Sequence, residues 1–198
     1  MRGIAQLCIA RHGETDWNAQ GVLQGWLDVP INAVGRRQAA EMAEELAATQ
    51  FDAVWTSSLI RARETAEIIA DRLGLPAPSI HEGLKERGFG EIQGVPKSEL
   101  AESNPLLLQQ ILRRNPAAHF EGGETMDEFA DRVLDALADI GPAHGGGVLV
   151  ITHGWVMDVI KRHFAHLPRN TILNSKPKNG ETLWLQVDGR SIATLQAE

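Results

Sequence analysis

The sequence predicts an α/β fold on a mainly parallel sheet. Short apolar runs alternate with segments of helical periodicity along most of the 198 residues. One of those runs, Val148 to Thr152, is almost entirely β-branched, as strands covered on both faces of a parallel sheet are. The length suits a single domain with a substantial core. No linker or internal repeat divides the chain.

The first strand is expected over about Gln6 to Ala10. After a polar loop, Ala39, Met42, Ala43 and Leu46 recur at helical spacing, with Gly35 near the start of that helix. A short strand follows over Ala53 to Thr56. Leu59, Ala62, Ala66, Ile69 and Leu73 then mark one face of a helix that stops at Gly74 and Pro76. From Gly83 to Gly123 the pattern weakens, with short helices expected around Ser98–Glu102 and Pro105–Arg113. Thr125 and Glu128 form a capping-box pair opening a strongly periodic helix through Phe129, Val133, Leu137 and Ile140. The strand Val148–Thr152 leads into a helix over Trp155–Phe164. Thr182–Val187 and Ser191–Leu195 flank Asp188-Gly189, which predicts a hairpin.

Composition narrows the function. The net charge is −7 with no long basic run, so no electrostatic footprint for nucleic acid is present. Any phosphate site must therefore concentrate positive charge locally. Cys8 is the sole cysteine and sits in an apolar run, which predicts a small core side chain rather than a reactive thiol. No apolar stretch approaches the ~18 residues of a membrane span, and no signal-peptide pattern precedes the first strand. A cytoplasmic location is expected, with no membrane partner.

Three segments share one arrangement, a hydrophobic strand followed by a polar set and then a helix or loop. They give Arg11-His12-Gly13-Glu14-Thr15, then Thr56-Ser57-Ser58 with Arg61 one turn on, and Thr152-His153-Gly154. If the strands are parallel, these ends share one sheet edge, where open α/β folds bind ligands. Two histidines and two arginines would meet there. Arginines can clamp phosphate oxygens, and the helix N-terminus after Ser58 would add dipole attraction for an anion.

Arg11-His12-Gly13-Glu14-Thr15, followed by Asn18, Gln24-Gly25 and Asp28, resembles the opening signature of the histidine phosphatase superfamily, the phosphoglycerate mutase-like group. Ser57-Ser58-Leu59-Ile60-Arg61-Ala62 with Thr65-Ala66 resembles its second block. Leu84-Lys85-Glu86 with Gly90 and Gly94 resembles the third, and Gly122-Gly123-Glu124-Thr125 and Thr152-His153-Gly154 the last two. The blocks fall in family order across nearly the whole chain. The resemblance implies a three-layer, phosphoglycerate mutase-like fold, with a substrate-covering insert at about 83–123. It implies His12 as the nucleophile, Arg11, Asn18, Arg61 and His153 around the phosphoryl group, and Glu86 as proton donor. A neutral imidazole can attack phosphorus if its other nitrogen holds the proton, for instance against a backbone carbonyl. Gln24, Gly25, Lys97, Arg113 and Arg114 are the substrate-contact candidates. Glu14 and Glu124 are expected to be structural. No metal or cofactor is expected.

Rival sites are weaker. His163 and His166 have no accompanying cysteine or carboxylate cluster, and Gly145-Gly146-Gly147 precedes a strand rather than following one. Trp17 and Trp26 are expected at the site's border, and Trp55 and Trp184 in the core. Three functions remain open. A phosphatase is favoured, because Gly88-Phe89 stands where the mutases carry His-Tyr, the insert after Arg114 is short, and a covering C-terminal tail is lacking. A phosphoglycerate mutase is favoured by Lys97 and Arg113-Arg114, which resemble its carboxylate-gripping positions. A non-catalytic phospho-ligand module is the third, disfavoured by intact His12, Glu86 and His153. The partner is a small phosphoester, and a homodimer through an edge strand is a further expectation.

Overall fold

The computed structural model describes residues 5–144, 146–173, 176, 178–188 and 191–194. A six-stranded sheet lies at its centre, in the order β3-β2-β4-β1-β5-β6. The strands are β1 (Ala5–Arg11), β2 (Ala53–Thr56), β3 (Ser79–Ile80), β4 (Gly147–Thr152), β5 (Thr182–Asp188) and β6 (Ser191–Thr194). Four adjacent strands, β3, β2, β4 and β1, run parallel. Strand β5 joins β1 antiparallel, and β6 pairs antiparallel with β5 as the hairpin pattern predicts. Gly189 of the expected turn, Leu195 at the expected strand end, and Gly145 lie outside the described residues.

The helices are α1 (Asp16–Gln20), α2 (Ala33–Glu45), α3 (Ile60–Leu73), α4 (Lys97–Ser103), α5 (Pro105–Leu112), α6 (Met126–Ile140) and α7 (Gly154–Phe164). Alternation along the strands explains the layers. Leu7 and Ile9 of β1 and Val148 and Val150 of β4 pack with Phe129, Val133 and Leu137 of α6 and with α7. Their neighbours Cys8, Ala10, Leu149 and Ile151 face the other way, against Ala39 and Met42 of α2 and Ala62, Ala66 and Ile69 of α3. Successive strand residues point to opposite faces, so a strand covered on both sides must be apolar throughout. Cys8 is fully buried, and burial pushes its thiol up to about 12, which makes it an inert core side chain.

Local chemistry sets the helix ends. Thr125 and Glu128 make the predicted capping box of α6. Gly74 ends α3 in the left-handed conformation. Helix α1 lies inside what reads as a polar loop, yet Thr15 and Asn18 form a capping box there too. Five residues are too few to show helical periodicity, so that cap was its only sequence signal. The expected helices of the 83–123 segment are α4 and α5, preceded by short 3₁₀ turns at Glu82–Leu84 and Gly90–Ile92.

The register aligns the ends that matter. Arg11 of β1 lies opposite Thr152 of β4, and Thr56 of β2 lies opposite Ile151. All three polar segments therefore leave the sheet at one edge.

Candidate active site

His12 follows β1 directly and is almost wholly buried, at 2% exposure. Its backbone N–H donates to Thr152 O at 3.0 Å, and its carbonyl accepts from Asn179 Nδ2 at 2.6 Å. The next turn needs close backbone contact. A Cβ on Gly13 would come within 2.5 Å of the Gly35 carbonyl oxygen at the start of α2, and Gly13 N–H donates to Thr65 Oγ1 of α3. The loop is thus pinned between two helices, and His12 has little freedom to move.

The imidazole is held in one tautomer. Its Nδ1 lies 2.6 Å from the Gly13 carbonyl oxygen. A carbonyl only accepts, so Nδ1 carries the proton and Nε2 keeps its lone pair. Burial, then the nearby Arg61 and Arg11, hold the ring well below its ordinary 6.5, against a smaller opposing effect of the Gly13 hydrogen bond. A neutral ring with a bare Nε2 is the state that can attack phosphorus.

A cavity of about 160 Å³ opens beside it, lined by Arg11, His12, Asn18, Arg61 and Glu86 among others. The Arg61 guanidinium hydrogen-bonds the Leu27 and Gly25 carbonyls at 3.0 and 2.7 Å, and its Nε has no partner among the described residues. Asn18 uses its Oδ1 to accept from Thr15 N–H, which leaves the amide nitrogen available to a ligand. His153 is fully buried next to His12, with ring centroids 5.1 Å apart. The N-terminus of α3 does not face an incoming anion as expected. Ile60 N–H donates instead to Asp28 Oδ1 at 2.6 Å, so a carboxylate of the chain already caps that helix.

Glu86 is buried beneath the cavity rather than paired on the surface. Its Oε1 accepts from Arg87 N–H at 3.0 Å and from Trp155 N–H, in the first turn of α7, at 3.2 Å. Burial raises its pKa above the ordinary 4.5, outweighing Arg114, Arg61 and Arg11, which pull the other way. With Oε1 occupied by two donors, a proton on the carboxyl belongs on Oε2. Lys85 reaches over the Trp26 ring and pairs with Glu82.

Arg87 holds this floor together. Its guanidinium donates to the carbonyls of Pro116, Ala118 and Glu124, and lies over the rings of Phe120 and Trp155. Glu124 has the structural place expected of it, pairing with Arg132 and accepting from Gly88 N–H. Each buried carbonyl left unpaired costs about 1–3 kcal/mol. Arg87→Met keeps the apolar stem and removes all these donors, so urea unfolding should show a loss of roughly 3–5 kcal/mol, with an unchanged dependence on denaturant.

Of the substrate-contact candidates, Gln24, Gly25, Lys97 and Arg114 line the cavity. Arg113 does not. It is exposed at the end of α5 and points no contact at the site. Arg114 is held by Asp158 of α7, Nε to Oδ2 at 2.5 Å, and its guanidinium lies over the Trp155 ring. Gly154 makes room for this, since a Cβ there would meet Arg114 Nη2 at 3.3 Å and Arg11 Nε at 3.6 Å. Lys97 is lowered by burial and then by the positive charges of Lys176, Arg11 and Arg114. Cations thus converge on one cavity in an acidic chain, which suits a polyanionic ligand. Trp17 lines the cavity. Trp26 does not, but its Nε1–H donates to Glu86 O at 2.7 Å. Trp184 stacks on Phe51, and Trp55 packs beside His81 and His144.

Sequence reasoning passed over Asp158, Arg87 and Trp155. A signal for Asp158 existed, a lone carboxylate inside the apolar run Trp155-Val156-Met157-Asp158-Val159-Ile160. Such a residue needs a cationic partner from another element, and only the fold supplies its identity.

Residues 7–197 match the model of the histidine phosphatase superfamily (branch 1). The chain is 39% identical over 160 residues to a metal-independent phosphoserine phosphatase of Arabidopsis thaliana, covering 79% of this chain and 67% of that one. It is 33% identical over 163 residues to a 2,3-bisphosphoglycerate-dependent phosphoglycerate mutase of Cytophaga hutchinsonii, covering 79% and 76%. Among solved structures, Bacillus stearothermophilus YhfR superposes with a TM-score of 0.87 at 29% identity, over 96% of this chain and 95% of that one.

Proposed function

The chain belongs to branch 1 of the histidine phosphatase superfamily, and from that premise we propose that it hydrolyses small phosphate monoesters through a phosphohistidine on His12. The observation that carries this reading is the His12 ring, proton fixed on Nδ1 by the Gly13 carbonyl and Nε2 bare, next to Arg11, Arg61 and buried Glu86.

In the first step the Nε2 lone pair attacks phosphorus, an N–P bond forms and the ester P–O bond breaks. Glu86 gives its proton to the departing alkoxide. The phosphorylated ring then bears positive charge, which the Nδ1–H bond to Gly13 O disperses. In the second step water attacks phosphorus and gives a proton to the Glu86 carboxylate. The N–P bond breaks, its electrons return to Nε2, and phosphate leaves. Arg11, Arg61, Asn18 and His153 surround the equatorial oxygens and stabilise the transferring group electrostatically. We assign the charge stabilisation to these residues and not to a metal.

The cavity volume of about 160 Å³ is small beside the ~300–1,000 Å³ of pockets for drug-sized ligands. It suits an ester of a few carbons. The 83–123 segment covers the substrate by supplying Glu86, Lys97 and Arg114, and the last two meet a carboxylate on it. Phosphoserine and phosphoglycerate are therefore the first substrates to test. Charged metabolites of this kind do not cross membranes, and we place the activity in the cytoplasm. No helix among the described residues is long and apolar enough to span a membrane.

A mutase is the second reading, favoured by the position of Lys97 and Arg114 on the cavity wall. The test is product analysis by phosphorus NMR with phosphoserine and 3-phosphoglycerate, in EDTA. Release of inorganic phosphate from both, undiminished by chelation, is expected. An isomeric phosphoglycerate without phosphate release would assign the mutase. Loss of turnover in EDTA, restored by magnesium or zinc, would overturn the metal-free stabilisation.

A further inference from the structure

Ser57 follows β2 directly and is fully buried, with no path to solvent of its own. Its Oγ lies 2.7 Å from His153 Nε2, across a sequence separation of 96 residues. The other nitrogen of that ring, Nδ1, is buried and has no partner among the described residues. A buried polar atom left unpaired is costly, about 1–3 kcal/mol, so its persistence in a ring whose centroid lies 5.1 Å from that of His12 asks for a use.

The direction of the Ser57–His153 hydrogen bond decides that use. Leu59 N–H already donates to Ser57 Oγ at 3.4 Å, so one lone pair of the hydroxyl is engaged. Were His153 to donate from Nε2, the hydroxyl proton would need a further acceptor, and none is recorded among the described residues. His153 Nδ1 would then turn a lone pair toward incoming phosphate oxygens, which is repulsive. If instead the hydroxyl donates to Nε2, both Ser57 groups are satisfied and Nδ1 carries a proton. The single atom left over is then an N–H donor, which a phosphoryl oxygen can accept.

We propose that Ser57 is a positioning residue that selects the Nδ1–H tautomer of His153, so that the ring presents a neutral hydrogen-bond donor to the transferring phosphoryl group. The inference rests on the reading of His153 as a phosphoryl ligand. It gives the two adjacent histidines opposite assignments by different partners. His12 is fixed by a carbonyl that only accepts, leaving Nε2 bare to attack. His153 is fixed by a hydroxyl that donates, leaving Nδ1–H to bind. Burial, with Arg61, His12 and Arg11 nearby, holds His153 well below its ordinary 6.5, so the neutral tautomers are the states in competition.

The experiment is a long-range nitrogen–proton correlation spectrum of the histidine rings at pH 7.5, on the wild type and Ser57→Ala, with single-turnover labelling of both. In the wild type, His153 should show a protonated Nδ1 and a bare Nε2. In Ser57→Ala the ring should move to the other tautomer or to a mixture, and phosphorylation of His12 should slow roughly 10–10²-fold, near the scale for loss of one transition-state donor. A wild-type His153 protonated at Nε2 overturns the proposal even if the variant does not fold. A tautomer and labelling rate unchanged in folded Ser57→Ala overturn it as well. Failure of the underlying mechanism is distinguishable, because it removes labelling from wild-type His12 itself.

Discussion

His12→Ala should lose turnover roughly 10⁶-fold, the scale on which enzymes respond to removal of the nucleophile, and should take up no phosphate. The fold should survive. Among the described residues the His12 ring hydrogen-bonds only to the adjacent Gly13 carbonyl, while the backbone contacts to Thr152 and Asn179 do not involve the side chain. Wild-type protein labelled from a phosphoester should lose the label in acid and keep it in alkali, as a phosphoramidate does. The pH profile of labelling adds a second readout. A nucleophile held well below 6.5 is unprotonated at and somewhat below that pH, so the acid limb falls below 6.5. Glu86, raised above 4.5, keeps its proton beyond that pH, so the alkaline limb starts above 4.5. Residual turnover of purified His12→Ala within tenfold of wild type would sink the phosphohistidine mechanism.

Glu86→Gln should separate the two kinds of leaving group. Glutamine Oε1 can still accept from Arg87 and Trp155, so the floor of the cavity remains built. What goes is the transferable proton on the other oxygen. An alkyl ester expels an alkoxide that needs this proton, whereas p-nitrophenolate leaves unaided. Phosphorylation of His12 from an alkyl phosphate should therefore slow by about 10²–10⁴, the range typical of general acid catalysis, and from p-nitrophenyl phosphate much less. Steady-state rates can hide the contrast, because in the proposed mechanism Glu86 also receives the proton of water in the second step. Single-turnover labelling isolates the first step. Equal losses with both esters would reduce Glu86 to a residue that merely orders its neighbours.

Much of the site was legible in the sequence because its parts are local. Arg11-His12, Ser57 with Arg61, and His153-Gly154 each follow a strand whose apolar run announces it. A parallel sheet then has one edge on which all three must emerge. Glu86 was legible only through its motif, since beside Lys85 and Arg87 a glutamate reads equally well as a surface residue. Its burial arises because α7 closes over it, with Trp155 N–H on its Oε1, and that helix comes from elsewhere in the chain. Arg113 and Arg114 are indistinguishable as a sequence pair. A one-residue step at the end of α5 sends one to solvent and the other onto Asp158 and Trp155.

By itself, then, the sequence determined the alternation of strands and helices and the strands covered on both faces, while the candidates for phosphoryl chemistry were read through the family's motifs. The elements depend on periodicity, capping and composition, which act between neighbours in the chain. Tertiary structure alone decided that Ser57 meets His153 Nε2, that the N-terminus of α3 serves Asp28 rather than a ligand, and that burial raises Glu86 above its ordinary pKa. Each of these follows from a partner distant in the chain, or from burial by distant elements. Electrostatics and desolvation depend on the distance between groups in space, and that distance exists only once the sheet has formed.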